Sequence, residues 1–208
     1  MGSEMCIRDR NDEVLKTIGR KHTAQQFFDA FELARKCGFD NINTDLIAGL
    51  PTDTPESFKN SLDSIVRLNA ECITVHTLCM KRASRLTTEG VTLDLQQARD
   101  AREMLAYTQN ILGQNEYIPY YMYRQSRMVG NLENVGWSKK GFESLYNVYV
   151  MDETHTILAC GSGGVTKLKR NNPDYLERIF NFKYPYEYID RFDELIQRKS
   201  GIMQFYGQ

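Results

Sequence analysis

Asp45 is the first residue in this chain from which chemistry is expected. It stands among Ile42, Leu46 and Ile47 in a β-favouring run, so residues 41–48 read as a buried strand with a carboxylate near its carboxyl end. That is where α/β barrels place their reactive groups. The plainer role for such an aspartate is capping or stabilising a turn. A second candidate is Cys160-Gly161-Ser162-Gly163-Gly164-Val165, whose backbone N–H groups could cradle an anion or approach a ligand closely. It lacks the Lys-Ser/Thr ending of a phosphate loop, and a plain glycine turn competes with both readings. Cys79 follows a strand but has no histidine placed for it by sequence, so a packing thiol is the simpler reading. His22 and His76 lack a metal-spaced partner, and lone histidines in a helix start or a strand are usually structural.

The elements that must position these residues follow from periodicity. Residues 11–20 read as a short helix with Val14, Leu15 and Ile18 apolar. Thr23 can cap a helix running to Cys37, with Phe27, Phe28, Phe31, Ala34 and Cys37 near one face, and Gly38 ends it. After the strand over 41–48, Gly49-Leu50-Pro51 punctuates the chain. Thr54 then caps a helix with Pro55 at its first position, where the missing N–H costs nothing. Residues 72–78 are rich in β-branched types and read as the next strand. Helix, strand, helix, strand in succession predicts parallel strands with right-handed crossovers. Asp94 opens a helix to about Leu112, and residues 117–123 form an aromatic strand. Residues 124–143 read as a loop, 144–151 and 156–159 as two strands, 172–179 as a short helix, and 186–198 as a last amphipathic helix.

Composition bounds the class. With 208 residues, ordinary apolar content and a net charge of -1, the chain suits a soluble globular domain, not a nucleic-acid binder held by a positive field. No apolar run approaches the roughly 18–20 residues of a membrane helix, and the amino terminus is unlike a signal peptide. Five widely spaced cysteines, Cys6, Cys37, Cys72, Cys79 and Cys160, form no zinc pattern, and free thiols in a reducing cytoplasm are the simplest reading. Residues 1–10 show no periodic face. Their Met-Cys-Ile-Arg-Asp-Arg string looks like translated adapter sequence fused to an interrupted gene, the alternative being a frayed native terminus. They are set aside from the fold as a non-native or disordered leader.

Two stretches together are more specific than either alone: Asn11-Asp12-Glu13-Val14-Leu15-Lys16-Thr17-Ile18-Gly19-Arg20-Lys21-His22-Thr23 and Asn43-Thr44-Asp45-Leu46-Ile47-Ala48-Gly49-Leu50-Pro51. The pair resembles the radical S-adenosylmethionine enzymes of the oxygen-independent coproporphyrinogen III oxidase (dehydrogenase) family. Gly130-Asn131-Leu132-Glu133-Asn134-Val135-Gly136-Trp137 and the glycine loop look most like its HemZ-like branch.

The resemblance implies an α/β fold: the carboxyl-terminal half of a partial (β/α) barrel over 11–116, with a mixed extension over 117–208. It implies a reaction in which a reduced [4Fe–4S] cluster cleaves S-adenosylmethionine, and porphyrinogen propionates lose hydrogen and carbon dioxide to become vinyl groups. The cofactor carries the hard chemistry and the protein positions it. The implied cofactor contacts are Arg20, Asp45, Cys79 and Val165: a guanidinium for a carboxylate, a carboxylate for a ribose hydroxyl or amino group, and two lining positions. The implied partners are a tetrapyrrole substrate and an electron-donor protein. Lys81, Arg82, Arg85, Arg124 and Arg127 could meet substrate carboxylates, and Tyr120, Tyr121, Tyr123 and Trp137 could wall a flat site, although solvated charges and core aromatics are the commoner roles. One departure stands out. The family's Cys-x-x-x-Cys-x-x-Cys motif is absent, so the chain alone is expected to be inactive, with no catalytic residue and no metal ligand of its own. A haem-binding or haem-delivery relative and a non-catalytic half-barrel with an exposed edge strand are the competing readings.

Overall fold

The computed structural model describes residues 3–6, 14–15, 21–79, 95–125, 128–171 and 174–207. These form two compact units, Met1–Glu143 and Ser144–Gln208.

The first unit is a five-stranded mixed sheet in the order β1-β2-β3-β5-β4. Strands β1 (Ser3–Cys6), β2 (Ile42–Ala48) and β3 (Cys72–Thr77) run parallel. Strand β5 (Asn134–Lys139) pairs antiparallel with both β3 and β4 (Tyr117–Tyr123). Helix α1 (Ala24–Lys36) opens with a full capping box, in which Thr23 and Gln26 bond each other's backbone N–H. Helix α2 (Pro55–Leu68) has the expected Thr54 cap, Pro55 in its first turn, and Asn69 in the left-handed region at its end. Helix α3 (Leu95–Gln114) lies beside α2 and near β2, β3 and β4.

Alternation assigns the faces. Ile42, Leu46, Ala48, Ile73 and Val75 point to one side, where they form a core with Phe27 and Phe31 of α1, Phe58, Leu62 and Ile65 of α2, and Met104 and Leu112 of α3. Burying one such side chain stabilises by about 1.5–3 kcal/mol. Trp137 and Tyr117 complete this core, and the Tyr117 hydroxyl donates to the Ala70 carbonyl at 2.5 Å. A clamp closes the far ends of β2 and β3: the Glu71 carboxylate accepts from Arg35 of α1 at 2.8 Å and from the Ile42 N–H at 3.0 Å. At the other end of β2, Gly49 has φ +79°, and an added Cβ would come within 3.1 Å of the Ala101 side chain, so both conformation and space call for glycine. Val14, which is helical, packs there with Leu50, Leu78, Ala101 and Val129.

The structure corrects several expectations. Ser3–Cys6, set aside with the leader, pair with Ile42, Asn43, Thr44 and Asp45, so part of residues 1–10 belongs to the sheet. The expected boundary at 117 falls inside the first unit, because β4 and β5 extend its sheet. The stretch read as a loop contains β5, which lies between two strands. Paired on both edges, its backbone holds a strand despite Asn134 and Gly136.

In the second unit, residues 144–151, read as a strand, fall in helix α4 (Leu145–Asp152). Residues 156–159 contribute only the Ile157–Lys167 bridge. Strands β6 (Val165–Asn171) and β7 (Asp174–Phe180) pair over their full lengths, where a helix was expected from Tyr175, Leu176 and Ile179. The last helix is three: α5 (Pro185–Asp190), α6 (Phe192–Lys199) and α7 (Gly201–Tyr206), with Arg191 leaving helical geometry between the first two. No helix among the described residues is long and apolar enough to cross a membrane.

Candidate functional site

The face of the sheet opposite the helix-packed core is polar and aromatic. One row of paired residues crosses it, Asp45 to Thr74 to Gly136 to Tyr121, and a second runs from Ile47 to His76, with Asn134 facing Tyr123 beyond. Because side chains alternate along a strand, Asn43 and Asp45 of β2 share this face with Thr74 and His76 of β3.

These residues form one network. Asn43 Nδ2 donates to Asp45 Oδ1 at 2.9 Å, and Thr74 Oγ1 donates to Asn43 Oδ1 at 3.1 Å. His76 Nε2 stands 3.8 Å from Asp45 Oδ1, and its Nδ1 is 3.3 Å from the Tyr123 hydroxyl. The Tyr121 hydroxyl is 3.2 Å from Thr74 Oγ1. Burial pushes the Asp45 carboxyl up, but its contact with His76, helped by Asn43 and Thr74, outweighs that and holds it below the usual carboxylate range. Asp45 is therefore an ionised, largely buried acceptor at neutral pH. Burial raises both Tyr121 and Tyr123, so the two phenols keep their protons.

The tyrosines owe their placement to two features of β4 and β5. The rings of Tyr121 and Tyr123 are 6.3 Å apart and inclined by 8°, a stacked wall. Gly136 makes room for it: a Cβ there would lie 1.8 Å from a Tyr121 ring carbon. A bulge between Pro119 and Tyr121 inserts Tyr120 as the extra residue. It moves the odd-numbered side chains from the core face, where Tyr117 packs, to the polar face.

The residues singled out in the sequence are only partly brought together. Asp45 is central to the network. Cys79 sits just past β3, half-buried, in a bridge with Met128. Arg20, with Lys81, Arg82, Arg85 and Arg127, lies outside the described residues. Arg124 pairs with Glu133 at 2.6 Å on the surface. Of the aromatics, Tyr121 and Tyr123 wall the polar face, whereas Trp137 is core. Val165 opens β6 in the second unit, half-buried and paired with Phe180.

The glycine loop is a self-contained turn. Gly161 N–H donates to the Tyr188 hydroxyl, Gly163 N–H to the Phe182 carbonyl at 2.7 Å, and Gly164 N–H to the Gly161 carbonyl. These N–H groups are spent on the fold, which removes the anion-cradle reading. His76, taken in the sequence for a structural histidine, is the main omission. Its signal was polar residues at every second position in two successive apolar strands, Asn43 and Asp45, then Thr74 and His76.

The site suits a ligand with hydroxyl or ammonium donors for Asp45 and a flat or apolar part against the tyrosines. It does not suit an iron–sulfur cluster. No group of three metal-binding side chains occurs among the described residues, and the five cysteines lack the triplet spacing.

Residues 7–65 match the radical SAM superfamily. The chain is 37% identical over 193 residues to the oxygen-independent coproporphyrinogen-III oxidase-like protein HemZ of Bacillus subtilis, covering 93% of this chain and 38% of that protein. It is 32% identical over 175 residues to the heme chaperone HemW of Lactococcus lactis, covering 80% of this chain and 42% of that one. Its fold is similar to coproporphyrinogen III oxidase (HemN) from Escherichia coli, a radical SAM enzyme, with a TM-score of 0.65 and 19% identity over 93% of this chain and 43% of the other. The chain thus spans less than half the length of these relatives. The resemblance read from the sequence holds: the chain is similar to HemZ over most of its length, and its α/β fold matches part of the coproporphyrinogen III oxidase fold.

Proposed function

We propose that this chain is part of an oxygen-independent coproporphyrinogen III dehydrogenase working in the cytoplasm, and that its polar sheet face binds S-adenosylmethionine beside a tetrapyrrole. The observation that carries this reading is the ionised Asp45, fixed by Asn43, Thr74 and His76 on a parallel strand next to a stacked tyrosine wall. A buried carboxylate kept charged by its neighbours is built to accept hydrogen bonds from a polar ligand. Asp45 would hold a ribose hydroxyl or the amino group of the methionine moiety. Arg20 would pair with the cofactor carboxylate, and Cys79 would line it; the family resemblance alone is what assigns Val165 to the cofactor. Tyr121 and Tyr123 would exclude water on one side. When bound in the complete enzyme, S-adenosylmethionine supplies the hydrogen abstraction that leads from propionate to vinyl. This chain's cysteines offer no ligand set for the cluster, so we assign it no electron-transfer step. By itself it should not decarboxylate porphyrinogen.

Titrating S-adenosylmethionine into the chain by calorimetry tests the reading. Loss of a charge-assisted hydrogen bond costs roughly 1.5–3 kcal/mol, so Asp45→Asn should weaken binding by about 10- to 100-fold. A wild-type chain with no saturable binding, or an Asn variant that binds equally well, would sink the proposal. Similarity to HemW over four-fifths of the chain favours a second reading, a haem-handling relative without decarboxylase activity. Saturable haem binding without S-adenosylmethionine binding would select it.

A further inference from the structure

We propose that His76 is a positioning residue for Asp45, and that the Tyr123 hydroxyl sets which of its ring nitrogens carries the proton. The inference rests on the cofactor-binding reading of Asp45 but reaches a residue that reading does not use. Three contacts carry it. Tyr123 lies 3.3 Å from His76 Nδ1, His76 Nε2 lies 3.8 Å from Asp45 Oδ1, and Asn43 Nδ2 donates to that same oxygen at 2.9 Å.

A neutral imidazole has one N–H and one bare nitrogen, and the partner of each decides the tautomer. In the proposed arrangement the Tyr123 hydroxyl, 3.3 Å away, donates to Nδ1. The imidazole proton then resides on Nε2, directed at the carboxylate. At 3.8 Å the Nε2–H attracts Asp45 as a dipole beyond direct hydrogen-bond reach. With Asn43, which donates to the same oxygen from within β2, it fixes the plane of the carboxylate. The three residues stand on three strands, β2, β3 and β4, so the orientation of Asp45 is set by the whole sheet and not by its own rotamer alone. The His76 and Tyr123 rings meet edge to face with centroids 6.4 Å apart, so the imidazole is also held by packing. A polar group aimed by its neighbours before the ligand arrives loses less freedom on binding.

Nitrogen-15 NMR of the chain tests this without any ligand. The sequence has three histidines, His22, His76 and His155, and His76→Gln identifies the signal. At a pH where the ring is neutral, the expected wild-type spectrum shows His76 protonated at Nε2 with a bare Nδ1. Tyr123→Phe should convert it to a mixture of tautomers. A wild-type Nδ1–H form, or no change in Tyr123→Phe, overturns the proposal. Calorimetry adds the functional arm: His76→Phe should weaken S-adenosylmethionine binding by about tenfold, while His76→Gln, which retains a donor, should stay within about threefold. Equal binding by wild type and His76→Phe also overturns it. If the wild-type chain binds no S-adenosylmethionine, the cofactor reading fails, and the tautomer measurement decides the positioning role by itself.

Discussion

Two aspartates of the first unit are tuned in opposite directions, and the contrast makes a test. Asp45 is held ionised by its neighbours. Asp53, buried at the start of α2, accepts the Thr54 N–H at 2.8 Å through one oxygen, while the other has no hydrogen-bond partner among the described residues. Burial raises its pKa to about 6, against the smaller opposing effects of Ser57 and Thr54. Between pH 4 and 6 the folded chain therefore binds more protons at this site than the unfolded one, and stability attributable to Asp53 falls as pH rises through that window. A shift of about two units corresponds to roughly 3 kcal/mol. Asp53→Asn, which still accepts from Thr54 but cannot ionise, should be more stable than wild type at pH 7.5, and the advantage should shrink toward pH 4. Urea unfolding at the two pH values checks this, and an advantage that grows on acidification counts against it. Gly136 yields a second residue-level expectation. Gly136→Ala must swing Tyr121 off the sheet, at a cost of roughly 1–3 kcal/mol. In a Tyr121→Ala background the same change should cost much less, which a double-mutant denaturation cycle reads directly.

At the scale of elements, α1, β2, α2 and β3 were legible because local chemistry and tertiary demand agree there. Thr23 and Thr54 cap, Asn69 and Gly38 take positive φ at helix ends, and the apolar periodicity matches the buried face. Thr54→Ala should lower stability by about 1 kcal/mol in chemical denaturation. The Glu71 clamp is stronger. It ties α1 to the ends of β2 and β3, and Glu71→Ala leaves Arg35 and the Ile42 N–H without their acceptor, so a loss of about 2–4 kcal/mol is expected by the same measurement. Where local and tertiary signals part, the sequence misled. Leu176 and Ile179 satisfy helical spacing, yet the hairpin with β6 decides their state. Leu145–Asp152 has strand-like composition and is a helix none of whose residues is buried. Strand β5 carries glycine and asparagine because pairing on both edges holds it. The site divides in the same way: Asp45 could be picked out by its place on a strand, whereas His76 and Gly136 acquire meaning only once β3, β4 and β5 are side by side.

For the whole molecule, the division of labour between sheet faces organises the first unit. One face is hydrocarbon against three helices, and the other carries the polar network. The aromatic strand β4 serves both, Tyr117 on the core side and Tyr121 and Tyr123 on the other, although all three are odd-numbered. The bulge at Tyr120 is what reconciles them, and it has a consequence for chain length. It works like a compensated frameshift: one surplus residue absorbs the change of phase, and every pairing downstream stays in step. Removing Tyr120 should restore an ordinary ladder with Tyr121 still opposite Gly136 and Tyr123 still opposite Asn134. Removing Met122 instead would transpose one tyrosine onto the hydrocarbon side. Single-residue deletions scanned through β4 should thus be tolerated at 120 and damaging at 122, marking Tyr120 as a joint where the strand can lose a residue without rewriting either face.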